Sequence, residues 1–275
     1  MAPEPTTLVA VQVYGWTQAI NFPNSPPLEE RLDDAFGAIK RAGFDHVETS
    51  LGWETMQPFL DALKRQGLGC PALYSGGTFH VEAEAEQAIE QIVAGTRRAI
   101  DILGIQVINC NPSGKAGHAE KTDDELALQA RMLDRCGAEL RALGVRFALH
   151  NHTPAMASNA REVHSNLRNT TPGNVWLNAD VEWIRHGGGD PVAFLNEYAG
   201  RIGSLHIRDA VGTQWVQALG EGDIDFPGIA AALKAGNFTG VMSLELAYDD
   251  KTEITRSFEE NHRVSRDFIR RVLGV

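Results

Sequence analysis

The chain of 275 residues is 43% hydrophobic and 22% charged, which is typical of a globular protein that buries a sizeable core. Its 25 basic and 36 acidic side chains give a formal net charge of −11, which argues against nucleic acid or an anionic membrane as a partner. We expect neither a spanning helix nor a secretory leader, because no long apolar run is present. The odd set Cys70, Cys110 and Cys136 lacks metal-binding spacing, so we expect reduced thiols in a cytoplasmic protein.

Short β-rich runs alternate with longer helical stretches along the whole chain. The runs are residues 7–15, 45–50, 69–76, 106–112, 145–152, 174–181, 202–209 and 239–246. Between them, apolar residues recur three and four positions apart, as at Leu126, Leu133 and Leu140. Repeated β and α units with short connections imply parallel strands and right-handed crossovers. The sequence therefore predicts one domain over residues 1–275, a (β/α)8 TIM barrel; an open doubly wound sheet competes, but no G-x-G-x-x-G follows the first run.

Polar residues end four consecutive runs, the fifth to the eighth. These end residues are His150, Asn151, His152, Asn178, Asp180, His206, Arg208 and Glu245. In a TIM barrel such positions meet at one mouth, where functional residues lie. Buried carboxylates there are unfavourable unless a cation compensates them. We therefore predict a metal site formed by Asp180, His206, Glu245 and a histidine of the fifth run.

The fifth-run ligand is assigned to His152, with His150 left open as the alternative. An oxygen and imidazole donor set suits Mn²⁺, Mg²⁺, Co²⁺ or Zn²⁺, and geometry chooses among them. Each residue also has a plainer interpretation, since Asp180 alone is consistent with a helix cap and Glu245 alone with a solvent-facing acid. The coincidence of four neighbouring run ends favours the metal site.

Five segments in order carry a resemblance to a known family: "FDHVETS", "DVEW", "SLHIRDA", "LGEGDIDFPGI" and "VMSLEL". With these, the chain resembles the xylose-isomerase-like barrel superfamily (sugar phosphate isomerase/epimerase family), which includes isomerases, epimerases and dehydratases. The resemblance implies a divalent metal at Asp180, His206, Glu245 and the "HNH" segment. Many such epimerases carry glutamate where His150 stands. The branch with "HNH" has a glutamate three residues on, where this chain has Ala155.

The expected chemistry is removal of a proton from a carbon between two oxygens, with a cation stabilising the enediolate. The candidate acid and base groups are His150, His152 and Glu245. Family frequency favours an isomerase or epimerase acting on a keto-sugar or sugar derivative. A lyase, dehydratase or hydratase acting on a keto-sugar or keto-glycoside is the alternative, and an inactive barrel serving as a partner subunit is a third. The net charge disfavours DNA cleavage, another activity of this barrel type.

Six further side chains at or just beyond run ends are candidate substrate contacts. They are Trp16, Glu48, His80, Asn109, Trp183 and Arg208. Indole faces stack on the C–H surface of a sugar, and a guanidinium donates hydrogen bonds to its oxygens. An ion pair of Arg208 near Asp209 is the plainer interpretation of that arginine. We expect a small carbohydrate as the partner, without nucleic acid or membrane, and leave pairing with a second copy open.

Overall fold

The computed structural model describes residues 6–275 and places all eight β-rich runs in one closed barrel. The strands are β1 (Leu8–Gln12), β2 (His46–Ser50), β3 (Gly69–Gly77), β4 (Val107–Pro112), β5 (Arg146–His150), β6 (Val175–Asp180), β7 (Ile202–Ile207), β8 (Ala210–Val211), β9 (Gln214–Trp215) and β10 (Val241–Leu244). Neighbouring barrel strands are parallel, and β10 closes the ring between β7 and β1. Strands β8 and β9 form a separate antiparallel hairpin after β7. The predicted TIM barrel is confirmed.

Helices follow the strands as the periodic stretches predicted. They are α1 (Tyr14–Thr17), α2 (Leu32–Arg41), α3 (Gln57–Gln66), α4 (Glu82–Leu103), α5 (Asp123–Ala142), α6 (Thr153–Arg168), α7 (Val181–His186), α8 (Pro191–Glu197), α9 (Phe226–Ala235) and α10 (Phe258–Phe268). Left-handed backbone at Ser158, Asn159 and Ala160 interrupts α6. Among residues 6–275, every helix is too short or too polar to traverse a lipid bilayer. The three cysteines are buried free thiols.

The barrel interior changes from apolar to polar toward the carboxyl ends of the strands. Small apolar side chains form one inward cluster: Ala10, Ala72, Val107, Ala148 and Val241. Because strand side chains alternate, the residues two positions further along point to the same interior. Those residues are Gln12, Tyr74, Asn109, His150 and Ser243. A larger apolar cluster contains buried side chains of both strands and helices, including Phe36, Phe59 and Phe147, so the polar interior rests on a packed scaffold.

Candidate metal-binding and active site

A cavity of about 500 Å³ opens at the carboxyl ends of the barrel strands. Its lining residues are Gln12, Val13, Tyr14, Thr17, Thr49, Ser50, Trp53, Tyr74, Asn111, His150, His152, Trp183, Arg208, Trp215, Glu245 and Ala247. Five of these residues are aromatic and nine are polar or charged. Aromatic walls with polar groups that fix orientation are typical of small-molecule sites.

Three buried side chains from consecutive strands lie close together beside this cavity, and one of them, His150, lines it. His150, Asp180 and His206 each offer one possible ligand atom, and these atoms lie within 4.8 Å of one another. Strand register places Asp180 beside His206 on β6 and β7, whereas His150 on β5 pairs with Asn178, two residues before Asp180. Glu245 follows β10, and its Oε2 lies 2.9 Å from Nδ1 of His206. The group thus combines two imidazoles with two carboxylates.

Glu48 holds the other side of the His206 ring. Its Oε1 lies 2.9 Å from Nε2 of His206 and accepts a second hydrogen bond, of 3.0 Å, from Nδ2 of Asn109. Its Oε2 accepts a hydrogen bond from the Ser243 hydroxyl. The Ser204 hydroxyl in turn donates to Oδ1 of Asn109 at 2.5 Å. All five side chains are essentially fully buried, so the carboxylate is satisfied by protein groups.

This network determines which nitrogen of His206 is available. A carboxylate only accepts hydrogen bonds, so Nε2 of His206 donates to Glu48, and the lone pair of the neutral form of the ring is at Nδ1. Within residues 6–275, Nδ1 is buried without an aligned hydrogen-bond partner, although Glu245 lies close to it. A histidine held by a carboxylate at one nitrogen, with the other free, is the usual arrangement of a metal-binding imidazole.

The two carboxylate oxygens of Asp180 have different partners. Oδ1 caps α7 by accepting hydrogen bonds from the backbone N–H groups of Glu182 and Trp183, at 3.0 and 2.9 Å. Oδ2 lies 3.4 Å from Nη2 of Arg208. The Asn151 side chain exchanges two hydrogen bonds with the Asp180 backbone, at 3.1 and 2.9 Å. The helix cap considered from the sequence is therefore present at Oδ1, and Oδ2 takes no part in it.

His152 is separated from the three-residue group that contains His150. Strand β5 ends at His150, and His152 is the N-cap residue of α6. The His152 ring lies against Trp183 with ring centroids 4.2 Å apart, and 6.0 Å from the His150 ring. Both histidines line the cavity, but the structure brings His150, rather than His152, to Asp180 and His206.

Burial and neighbouring charges perturb the titration of these groups. Burial, reinforced by the charge of His206, lowers the pKa of His150 well below its ordinary value. Burial raises the pKa of Asp180 to about 6. Although burial acts in the opposite direction, the carboxylates of Glu48 and Glu245 hold the pKa of His206 well above its ordinary value. The surroundings of His206 therefore stabilise positive charge.

Of the six predicted substrate contacts, Arg208 and Trp183 line the cavity. Glu48 and Asn109 instead lie in the buried network around His206, which corrects their expected position at the cavity wall. Trp16 is also displaced from the expected position: it is buried against Phe22 and Phe258, with ring centroids 5.3 and 5.0 Å away.

His80 is the remaining predicted substrate contact, and the structure places it away from the cavity wall. It is buried, and burial together with the nearby charge of Lys121 lowers its pKa. His80 is not among the residues that line the cavity, and its role as a substrate contact stays a prediction.

Three residues in or beside the cavity make contacts within the site and were not selected from the sequence. Tyr74 stacks on the His206 ring with centroids 6.0 Å apart, and its position two residues after Ala72 on β3 was a usable signal. Trp215 is in the β8–β9 hairpin, beyond any periodic pattern. Glu182 is fully buried beside Arg208, but its place in "DVEW" did not reveal that contact.

The comparisons with known proteins agree with this architecture. The profile of the family described as xylose isomerase-like TIM barrel matches residues 36–272, and the chain belongs to this family. Inosose dehydratase from Lacticaseibacillus casei is 26% identical over 146 residues, which cover 46% of this chain and 49% of that protein. The chain thus spans about half the length of the curated relatives it matches.

Solved structures cover the chain more fully. An L-ribulose 3-epimerase has a TM-score of 0.75 and 18% identity, covering 98% of this chain and 95% of that one. D-allulose 3-epimerase from Methylomonas sp. has a TM-score of 0.76 and 17% identity, covering 99% of this chain and all of that one (100%). At such identities the likeness shows the fold, while the substrate and reaction of this chain must be argued from its site.

Proposed function

We propose that this protein is a divalent-metal-dependent enzyme that removes a proton beside the carbonyl of a small carbohydrate, with isomerisation or epimerisation as the outcome. The observation that carries the proposal is the buried Nδ1 of His206, which lies 2.9 Å from the Glu245 carboxylate while Glu48 binds the opposite ring nitrogen. Epimerases among the structural neighbours and dehydratases among the sequence relatives support an enzyme acting on sugars or cyclic polyols.

The donor set fits a divalent ion. Metal–ligand bonds of about 2.1 Å place adjacent ligand atoms about 3 Å apart, close to the spacing between His206 and Glu245. Our proposed ligands are His150, Asp180, His206 and Glu245; His150 replaces His152 from the sequence prediction because it lies within the ligand group. The donors suit Mn²⁺, Mg²⁺, Co²⁺ or Zn²⁺. When bound, the ion would polarise a carbonyl and stabilise negative charge on its oxygen.

His152 is then our candidate base. It lines the cavity beside Trp183, and burial together with the Arg208 charge lowers its pKa. Its ring is therefore neutral near pH 7 and has a nitrogen free to accept a proton from a substrate carbon. In this proposal His150 and Glu245, the other acid/base candidates, hold the ion, and Glu245 remains close enough to share proton transfer.

In this proposal the aromatic residues of the cavity wall bind the sugar and exclude water from it. Trp53, Tyr74, Trp183 and Trp215 enclose the same cavity, and such rings stack on the C–H faces of sugar rings. Arg208 packs against both the Trp183 and the Trp215 ring, where it is placed to donate a hydrogen bond to a substrate oxygen. A dry wall strengthens polar contacts at the reacting carbon.

A lyase outcome, loss of water from a keto-polyol, is the second candidate. The similarity to inosose dehydratase favours it, as does His150 at the position where the opposed glutamate of many epimerases is expected. One base suffices for elimination, whereas epimerisation generally uses two bases on opposite faces of the carbon. The same residues serve either outcome, so the product distinguishes them.

The test is a panel of keto-sugars and keto-polyols incubated in D₂O with the chelated and the Mn²⁺-loaded protein. We expect Mn²⁺-dependent deuterium incorporation at a carbon next to the carbonyl. An isomer or epimer of equal formula supports the first outcome, and a product lighter by one water supports the second. Equal behaviour of chelated and loaded protein across the panel would contradict the proposal, and His152→Gln should abolish exchange while retaining the metal.

A further inference from the structure

One cation lies on the cavity wall, the guanidinium of Arg208. Among the described lining residues there is no lysine and no second arginine, and Glu245 adds a negative charge to the same wall. The Arg208 Cζ lies 4.6 Å from the Trp183 ring centroid and 4.5 Å from that of Trp215. The two indoles fix the position of this guanidinium through cation–π contacts.

Two buried carboxylates compensate the charge of Arg208. Glu182, in the first turn of α7, places Oε2 3.4 Å from Nε of Arg208, and Asp180 Oδ2 lies 3.4 Å from Nη2. Within residues 6–275, neither oxygen of Glu182 accepts an aligned hydrogen bond, although His186 Nδ1 lies 3.5 Å from Oε1. A fully buried carboxylate requires a compensating cation, and the nearest is Arg208.

The charged side chains in and beside the cavity sum to a net negative charge. The carboxylates of Asp180 and Glu182 lie beside Arg208, and those of Glu48 and Glu245 lie beside His206. Even with a positively charged His206 these groups leave two negative charges in excess, and a divalent ion bound at the proposed site by neutral histidines would leave one. A phosphate or carboxylate on a substrate would therefore enter a region of like charge, which disfavours its binding.

We propose that Glu182 is a specificity-determining residue: together with Asp180 it neutralises Arg208, so that the cavity accepts uncharged sugars and excludes phosphorylated or carboxylated ones. This inference rests on the proposed function, because it requires that the cavity bind a sugar. Glu182 acts through Arg208 and does not itself touch the substrate. Arg208 can still donate a hydrogen bond to a hydroxyl or carbonyl oxygen of the substrate. Its positive charge is already compensated by Asp180 and Glu182, so it attracts an anionic group only weakly.

The first test compares neutral and phosphorylated ligands on the wild-type protein by titration calorimetry. The probes are D-fructose with D-fructose 6-phosphate, and D-allulose with D-allulose 6-phosphate. We expect each neutral sugar to bind at least about tenfold more tightly than its phosphate, a difference of about 1.4 kcal/mol. Equal or tighter phosphate binding overturns the inference and leaves the proposed sugar site intact. Binding of none of the four overturns both proposals.

The second test uses Glu182→Gln, with Glu90→Gln on the exposed face of α4 as the matched control for a lost negative charge. In Glu182→Gln we expect the preference for the neutral sugar to shrink about tenfold, because part of the Arg208 charge becomes available to the phosphate. Glu90→Gln should keep the wild-type preference. A structural role alone would weaken both ligands equally, so an unchanged ratio in Glu182→Gln overturns the role assigned to Glu182.

Discussion

Glu48 illustrates how a single buried residue supports the candidate metal site without facing the cavity. Its carboxylate accepts from His206, Asn109 and Ser243, and each of these partners is itself buried. We expected this acid to contact the substrate because it stands near the end of the second β-rich run. The tertiary contacts instead make it the group that orients His206 and keeps Nδ1 available. Outer carboxylates of this kind tune the affinity of the metal they do not touch.

We therefore predict that Glu48→Gln weakens metal binding. The amide retains the shape of the side chain but loses the charge that holds the His206 ring, so affinity for Mn²⁺ should fall about 10- to 100-fold. Calorimetric titration of the metal-free protein with Mn²⁺ measures this directly, without a substrate. Glu90→Gln serves as the exposed control and should bind Mn²⁺ as the wild type does. Wild-type affinity in Glu48→Gln would remove the orienting role.

At the scale of elements, the segment after β7 determines how Trp215 reaches the cavity. Asp209 accepts hydrogen bonds from the backbone N–H groups of Gly220, Gly222 and Ala210, at 2.9, 3.0 and 2.9 Å. A Cβ atom on Gly222 would lie 2.1 Å from the Asp209 side chain, so the close approach requires glycine there. The β8–β9 hairpin is thus held over Arg208 by backbone contacts to one carboxylate.

We predict that Asp209→Asn loosens residues 210–224. The amide replaces one acceptor oxygen by a donor, so at least one backbone N–H loses its partner and the segment opens more often. Hydrogen exchange monitored by mass spectrometry should show faster exchange in peptides from 210–224, with peptides from β1–β4 unchanged. The exposed Asp250→Asn is the control. Protection equal to that of the wild type in 210–224 would show that Asp209 does not anchor the segment.

At the scale of the whole molecule, the candidate metal site links four separate strands, and so its occupancy is linked to global stability. The ligands proposed here come from the ends of β5, β6 and β7 and from the residue after β10. An ion bound by the folded barrel and not by the unfolded chain stabilises the fold in proportion to its saturation. Stability and site occupancy should therefore change together.

We predict that Mn²⁺ raises the thermal stability of the protein. Adding Mn²⁺ to the chelated protein at about 100 times its Kd should raise the free energy of unfolding by about 2.7 kcal/mol, with a matching rise in Tm. Asp180→Asn, which keeps a side-chain oxygen at the α7 cap, should remove most of that rise. Differential scanning calorimetry in a metal series measures both. A Tm independent of Mn²⁺ in the wild type would contradict an ion linking these strands.

Acid stability reports on His262, which lies far from the metal site in an aromatic surround. Its ring is fully buried, 4.5 Å from the Phe258 ring centroid, and burial lowers its pKa to about 4. The unfolded chain, with an ordinary pKa of about 6.5, takes up the proton first as the pH falls. Stability is therefore complete above about pH 6.5 and is lost as the pH falls toward 4.

The expected loss from His262 between about pH 7.5 and pH 5 is about 2 kcal/mol. Urea unfolding of the wild type and His262→Gln at both pH values isolates this contribution, because the variant lacks the titrating ring. The pH dependence of His262→Gln should be smaller by that amount. His118→Gln, at an exposed position, should keep the wild-type dependence. Parallel pH profiles for wild type and His262→Gln would contradict the assignment.

Sequence patterning was sufficient to predict the barrel and the region of the candidate site. Period-two runs alternating with period-3.6 stretches depend on local backbone geometry, and the strand count then leaves few closed arrangements. The polar ends of the fifth to eighth runs could be placed at one mouth for the same reason. Possible ligand atoms of Asp180 and His206 lie within 4.8 Å of each other, and Glu245, which lines the cavity, lies 2.9 Å from His206.

Tertiary structure alone decided the individual roles within that region. Strand alternation stops at His150, where β5 ends, so it could not place His152, which begins a helix and turns toward Trp183. The contacts of Glu48 with Asn109, and of Glu182 with Arg208, join residues distant in the chain. Local periodicity specifies the face of an element on which a side chain lies, whereas contacts across the barrel depend on the register and twist of all eight strands together.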